Sequence, residues 1–147
     1  MFEKILVGYD AEELSEKVLD LAVEMAKSQK SEIHIVTSIK MPDYLFINLP
    51  FGGGATSLAN LKNEIRADYE NKLNKAGERV KAEGLPVKVA FFEENPGEAI
   101  VKYAEKEKID LIIMGSHNRK GLFKAVLGSV SNYVVFHAQC AVMIVKS

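Results

Sequence analysis

Apolar positions change period along the chain in a way that separates strands from helices. Residues 2–9, with Ile5-Leu6-Val7 unbroken, and residues 33–39, rich in branched side chains, predict two strands. Between them Leu14, Val18, Leu21, Ala22 and Met25 recur at helical spacing, while Glu13, Lys17, Asp20 and Glu24 take the opposite face. A second helical stripe, Leu61, Ile65, Tyr69, Leu73, Ala76 and Val80, stops at Gly84, and residues 87–92 read as a third strand. Asn95-Pro96-Gly97-Glu98 starts a third helix: a capping side chain, proline at the first helical position and a carboxylate placed to bond back. Residues 111–114 form a continuous apolar run, the mark of a strand covered on both faces, and residues 130–137 and 141–145 supply a last helix and strand.

Strict alternation of strand and helix predicts an α/β domain: an open, parallel, five-stranded sheet with right-handed crossovers and helices on both faces. Winding the first three strands one way and the last two the other gives the order 3-2-1-4-5. The topological switch then falls between the first and fourth strands, and ligands favour the crevice outside the carboxyl ends of strands at such a point. Those ends are Gly8-Tyr9-Asp10 and Met114-Gly115-Ser116. Residues 41–60, with Pro42, Pro50, three consecutive glycines and Tyr44, Phe46 and Phe51, lack periodicity and are expected to form an irregular flap. The glycine triplet is not followed by Gly-Lys-Ser/Thr and no Gly-x-Gly-x-x-Gly follows the first strand, so neither a P-loop nor a dinucleotide fingerprint is present.

Composition narrows the class. A chain of 147 residues, 48% hydrophobic and 27% charged, is expected to fold as a single domain over 1–147. No apolar run approaches the ~20 residues of a membrane span, and the first residues enter a strand without a signal-peptide layout, so a cytoplasmic protein without membrane attachment is expected. A single cysteine, Cys140, excludes an internal disulfide and a cysteine-rich zinc site. All 20 acidic residues precede Leu111, whereas Arg119, Lys120, Lys124 and Lys146 follow it. Three of these cations cluster beside His117, where they either draw an anion or form a solvated basic loop. A sequence pI of 6.3 argues against a nucleic-acid surface. His34, His117 and His137 lack ligand spacing, and His34, inside a strand, reads as a packed or hydrogen-bonded residue.

The densest chemistry runs from Met114 to Val130. Gly115 is expected to leave room for a ligand against the strand end. Gly128-Ser129 opens a helix whose free amides, dipole and hydroxyl suit a phosphate, although a strand-end turn and an ordinary N-cap account for the same residues. Ser116, Ser129 and Ser131 have no base and acid in triad order and Gly-x-Ser-x-Gly is absent, so hydrolase chemistry is not supported. Nor is any group poised as a general base for an attacking water, so hydrolysis of a bound phosphate ester is expected to be slow at most.

Here the sequence resembles the universal stress protein family. Its nucleotide-binding members carry Gly-x-x-Gly, nine residues, then Gly-Ser or Gly-Thr after the fourth strand; Gly115, the stretch 119–127 and Gly128-Ser129 match, with Asn118 in the second glycine position. The resemblance extends through the first strand with Asp10, the Asn95 to Ile100 helix start, the Asp110 to Ser116 strand and the Cys140 to Val145 ending, and omits 41–60. It implies an adenine nucleotide alpha hydrolase-like fold and an ATP site used for regulation or signalling, with Mg²⁺ arriving on the phosphates. Gly8, Tyr9 and Asp10 would border ribose and adenine, Ser38 would offer backbone to adenine, Met114 and Gly115 would continue the wall, and Ser116 and His117 would belong to the same nucleotide-binding segment. Asn118, Gly128, Ser129 and Val130 would meet the phosphates, with charge from Arg119 or Lys120. The resemblance also implies a homodimer through the last strand, Ala141–Val145. Two departures bear on the site. Asn118 tolerates a left-handed backbone, but its amide either crowds the phosphates or donates to them. Ala11-Glu12 stands where the family often has glycine and serine, and Asp10 with Glu13 equally fits a capping box for the first helix. A nucleotide-free interaction module of the same fold, binding partners through its flap and apolar edge, is the alternative.

Overall fold

The computed structural model describes residues 1–41, 55–116 and 128–146, and the side chains of 55–58 are not part of that description. Five strands, β1 (Lys4–Gly8), β2 (Glu32–Ser38), β3 (Val87–Phe92), β4 (Leu111–Gly115) and β5 (Ala141–Val145), alternate with four helices, α1 (Glu13–Gln29), α2 (Ala55–Ala82), α3 (Pro96–Lys106) and α4 (Ser129–His137). The sheet is parallel with the order β3-β2-β1-β4-β5, as the alternation predicts. Register follows the apolar runs: Ile5 lies between Ile33 and Leu111, and Val7 between Ile35 and Ile113.

Side chains along a strand alternate between faces, and the two faces of this sheet carry separate cores. Ile5, Val7, Ile33, Ile35, Leu111 and Ile113 pack with Val18, Leu19 and Ala22 of α1 and Leu73, Ala76 and Val80 of α2. Leu6, Val36, Ile112 and Met114 pack with Ile100, Val101 and Ala104 of α3 and Val134 of α4. Two helices therefore cover each face, which is why β1 and β4 read as uninterrupted apolar runs.

Local signals set the helix ends. The Asn95 side chain accepts from the Gly97 amide at 3.1 Å, with Pro96 at the first position of α3. Gly84 takes a left-handed φ of 80° just past α2, and its amide donates to the Lys81 carbonyl at 2.9 Å. Two expectations need correction. Helix α2 begins at Ala55, inside the stretch expected to be irregular, because Gly54 is the last glycine or proline before a run of helix-favouring residues; 42–54 lie outside the described residues. The capping box at α1 does not form: Glu12, not Asp10, is the N-cap, and it makes no side-chain cap bond. Ala11 at φ 64° adds a residue to the turn and sets Asp10 two positions too early to cap.

His34 is fully buried beneath α3, its Nδ1 2.7 Å from the Tyr103 hydroxyl and its Nε2 2.5 Å from Glu32 Oε1. The packed reading of this histidine holds. Burial lowers its pKa from the ordinary 6.5 against the opposing pull of Glu32, and burial pushes the Tyr103 phenol up to about 12. Folding therefore disfavours a proton on His34, so stability is full above the unfolded pKa and falls as pH drops through 6.5. Between pH 10 and about 12 the unfolded chain loses the Tyr103 proton first, and stability falls as pH rises. Urea titrations from pH 8 to 5 should give a shallower slope for His34→Gln than for the parent; equal slopes would remove His34 as the cause.

Candidate functional site

The carboxyl ends of β2, β1 and β4 lie side by side because those strands are neighbours in the sheet. A Cβ built on Gly8 would stand 3.4 Å from Met114 Cβ, so the two strand ends touch there. Helix α4 reaches the same end: Ala141 of β5 pairs with Leu111 at the start of β4, so a helix that ends just before β5 starts at the carboxyl side of the sheet. The fold thus brings Gly8-Tyr9-Asp10, Met114-Gly115-Ser116 and Gly128-Ser129-Val130 to one end of the sheet. His117, Asn118, Arg119 and Lys120 lie outside the described residues.

Each strand end is held by specific bonds. The Tyr9 amide donates to the Val36 carbonyl at 2.9 Å, and Thr37 Oγ1 donates to the Tyr9 carbonyl at 2.8 Å. The Tyr9 side chain belongs to the core with α1 and α2, and its hydroxyl donates to Glu16, whose second oxygen accepts from Arg79 of α2 at 2.6 Å. Arg79 also pairs with Asp20. Burial and the Glu16 carboxylate both raise the Tyr9 pKa, so the phenol stays protonated. Tyr9 therefore anchors the β1 terminus with a side chain committed to the helices.

Asp10 is held in the turn that follows. Its Oδ1 accepts from the Glu12 amide at 3.0 Å and from the Ser15 hydroxyl, while the Asp10 amide donates to Ser15 Oγ at 3.0 Å. Ser38 uses its hydroxyl to join β2 to the turn before α3, donating to the Glu94 carbonyl at 2.7 Å.

At β4, Gly115 meets helix α1. A Cβ there would stand 2.6 Å from Leu14 Cδ2 and 2.7 Å from Leu14 Cγ, so the missing side chain makes room for that helix. The Ser116 amide donates to the Val145 carbonyl at 2.9 Å, carrying the ladder one step past β4. Gly128 is the N-cap of α4 and offers no side-chain cap; Ser129 is the first helical residue and is exposed. The buried Ser131 hydroxyl donates to the Gly128 carbonyl at 3.0 Å, a structural use. First-turn amides of an α-helix have no intrahelical acceptor, so this end presents N–H groups and the positive end of the dipole.

Elsewhere, a cleft of about 220 Å³ lined by Val101, Ala104, Ile109, Ala138 and Cys140 sits at the opposite, amino end of β4 and β5. Burial raises the Cys140 pKa and keeps it a thiol. No group of three or more His, Cys, Asp or Glu able to hold a metal occurs among the described residues. The sequence reading missed Ser15, although a hydroxyl beside Leu14 on the apolar stripe of α1 was a visible signal. It also missed the Glu16 and Arg79 pair, whose 63-residue separation leaves no local signal.

The universal stress protein family model matches residues 1–146. The chain belongs to this family. Universal stress protein MJ0577 of Methanocaldococcus jannaschii is 33% identical over 99% of this chain and 96% of its own length. A solved structure of MJ0577 superposes with a TM-score of 0.84 at 28% identity, covering 100% of this chain and 97% of that one. The fold is shared with a universal stress protein in complex with cAMP (TM-score 0.72, 22% identity, 99% of this chain and 97% of that one). It is shared also with one from Archaeoglobus fulgidus in complex with dAMP (TM-score 0.64, 21% identity, 99% and 98%). Among the described residues of this universal stress protein, no helix is long and apolar enough to cross a membrane.

Proposed function

We propose that this universal stress protein binds ATP at the carboxyl end of its sheet and acts as a cytoplasmic regulatory or signalling dimer. The observation that carries the reading is the glycine-capped start of α4, which brings amides without a side-chain cap to the same end as the β1 and β4 termini. Family members held with cAMP and with dAMP support an adenine nucleotide as the ligand class. The residues fit a polyphosphate. The amides of Ser129 and Val130 and the dipole of α4 would hold phosphate oxygens, Gly128 would bring no side chain into their approach, and Arg119 or Lys120 would supply charge. Asp10 would meet the ribose, the Ser38 backbone the adenine, and Gly8, Met114 and Gly115 the wall between them. Mg²⁺ would be held mainly by the phosphates and water, where it neutralises their charge.

Pairing through β5 fits the same reading. Among the described residues β5 is an edge strand with β4 as its one strand neighbour, and Val142 to Val145 are partly exposed. Light scattering at micromolar concentration that returned a single 16.3 kDa subunit would exclude the dimer.

Calorimetric titration with MgATP should give saturable heat. ATP at about 100 times its Kd should raise the unfolding free energy by about 2.7 kcal/mol. Acid extraction of fresh protein should release adenine nucleotide. Absence of heat from both the wild type and Asn118→Gly would overturn the ATP reading. It would favour the nucleotide-free interaction module, whose supporting observation is the exposure of Val135 (45%) and Phe136 (81%) on α4.

A further inference from the structure

We infer that His34, with Glu32 and Tyr103, forms an acid-sensitive latch that holds α3 on the sheet and lets that helix open locally when the imidazole takes up a second proton. The latch does not depend on a bound nucleotide.

The bonding fixes where the protons sit. A carboxylate only accepts, so Nε2, which faces Glu32 Oε1 at 2.5 Å, carries the imidazole hydrogen. Nδ1 keeps its lone pair, and the Tyr103 hydroxyl donates to it at 2.7 Å. Carboxylate and imidazole belong to β2 and the phenol to α3, so the row of bonds crosses from sheet to helix. His34 is fully buried in the middle of it. The Tyr103 ring also packs edge-on against His34 and Phe92, with centroids 5.6 and 6.1 Å apart. Among the described residues, the bond to His34 is the one hydrogen bond from an α3 side chain to a strand, and the Tyr103 hydroxyl has no other partner.

A second proton upsets this arrangement at one atom. It enters on Nδ1, which then points a hydrogen at the Tyr103 oxygen. The bond reverses, and the phenol hydrogen loses its acceptor. A unit charge is also placed on a ring shut away from water. Burial opposes that charge, as does Lys88 of β3, whose Nζ lies 3.7 Å from Glu32 Oε1, while Glu32 and Glu107, the residue that ends α3, favour it. Burial prevails, and the closed latch holds the proton less well than an ordinary histidine. Lifting α3 removes the hydroxyl and lets water reach the imidazole, so the open state binds the proton more tightly and acid favours opening. An 11-residue helix is a unit small enough to open by itself. Its departure uncovers the apolar sheet face of Leu6, Val36 and Ile112.

The test is amide hydrogen exchange of the full chain at about pH 7.5 and about pH 5.5, read as protection factors, with ring-nitrogen NMR of His34 alongside. One proton taken up on opening, against an ordinary pKa of 6.5, predicts that protection in α3 falls by about three- to tenfold between the two. The opening should depend on urea much less than exchange from β1 does, which marks it as local. At the higher pH, NMR should find Nε2 protonated and Nδ1 bare. Tyr103→Phe removes the donor to Nδ1, so the His34 pKa should rise and the pH response of α3 should shrink, whereas a phenol that serves only as packing would leave both unchanged. His34→Gln should abolish the response, and the NMR of the parent protein decides the bonding if either variant does not fold. Three results overturn the inference: a proton on Nδ1 in place of Nε2, α3 amides that exchange only with global unfolding, or α3 protection that is the same at both pH values.

Discussion

Asp110→Ala is expected to lower the unfolding free energy by about 3 kcal/mol, from the loss of two hydrogen bonds to a charged acceptor of roughly 1.5 kcal/mol each. Asp110 closes the turn before β4, and its Oδ2 accepts from the amides of both Glu3 and Lys4 at 2.9 Å. These amides open β1, the middle strand of the sheet. The same strand start is held by the Asp110 amide donating to the Lys4 carbonyl at 3.0 Å, the Glu32 amide donating to the Glu3 carbonyl at 2.8 Å, and Lys4 Nζ donating to the Glu107 carbonyl at 3.0 Å. One carboxylate thus ties β1 to β4 across 107 positions of sequence. Removing it leaves the partly buried Lys4 amide without its acceptor, and an amide stranded away from water costs more than a bond forgone. Asp110→Asn keeps an oxygen acceptor but loses the charge, so about half the penalty should remain. Urea unfolding decides the matter: the midpoint should fall in the order wild type, asparagine, alanine, with an unchanged slope. An alanine variant as stable as the wild type would mean that the β1 start is held by its ladder bonds alone.

The strand runs show why the fold was legible. Ile5-Leu6-Val7 and Leu111 to Met114 are apolar at consecutive positions, short runs that suit a strand buried on both faces, and the helical stripes between them fix the alternation. Asn95 and Gly84 act within a few residues of themselves, so local chemistry announced the start of α3 and the end of α2. What sequence periodicity could not reveal were partnerships made across the fold. His34 meets Tyr103 at a separation of 69 residues, and Glu16 meets Arg79 at 63. The turn at Asp10 failed for a different reason. A left-handed residue is foreseen at glycine or asparagine, and Ala11 is neither, so the spacing from Asp10 to Glu13 imitated a capping box that the backbone does not make. Ser15 was legible in principle, as a polar residue on the buried stripe of α1.

Gly115 tests how far a motif glycine answers to the ligand and how far to the scaffold. The spacing of Gly115 to Gly128-Ser129 matches the family's nucleotide motif, yet a Cβ at Gly115 would lie 2.6 Å from Leu14 Cδ2. Overpacking in a closed core predicts a loss of about 2 kcal/mol for Gly115→Ala and about 3 kcal/mol for Gly115→Val. Leu14→Ala alone removes a nearly buried side chain and should cost about 2–4 kcal/mol. Combined, the two alanine substitutions relieve each other's fault, because the new methyl enters space the leucine vacates. The double variant should be more stable than the sum of the singles predicts, by about 1–2 kcal/mol. Additive losses would show that Leu14 is not what Gly115 accommodates. Nucleotide titration of the same set separates the roles. If Gly115 serves binding only by letting α1 sit against β4, the affinity lost in Gly115→Ala returns in the double variant along with the stability. Recovery of stability without recovery of binding would restore to this glycine the ligand contact that its place in the motif implies.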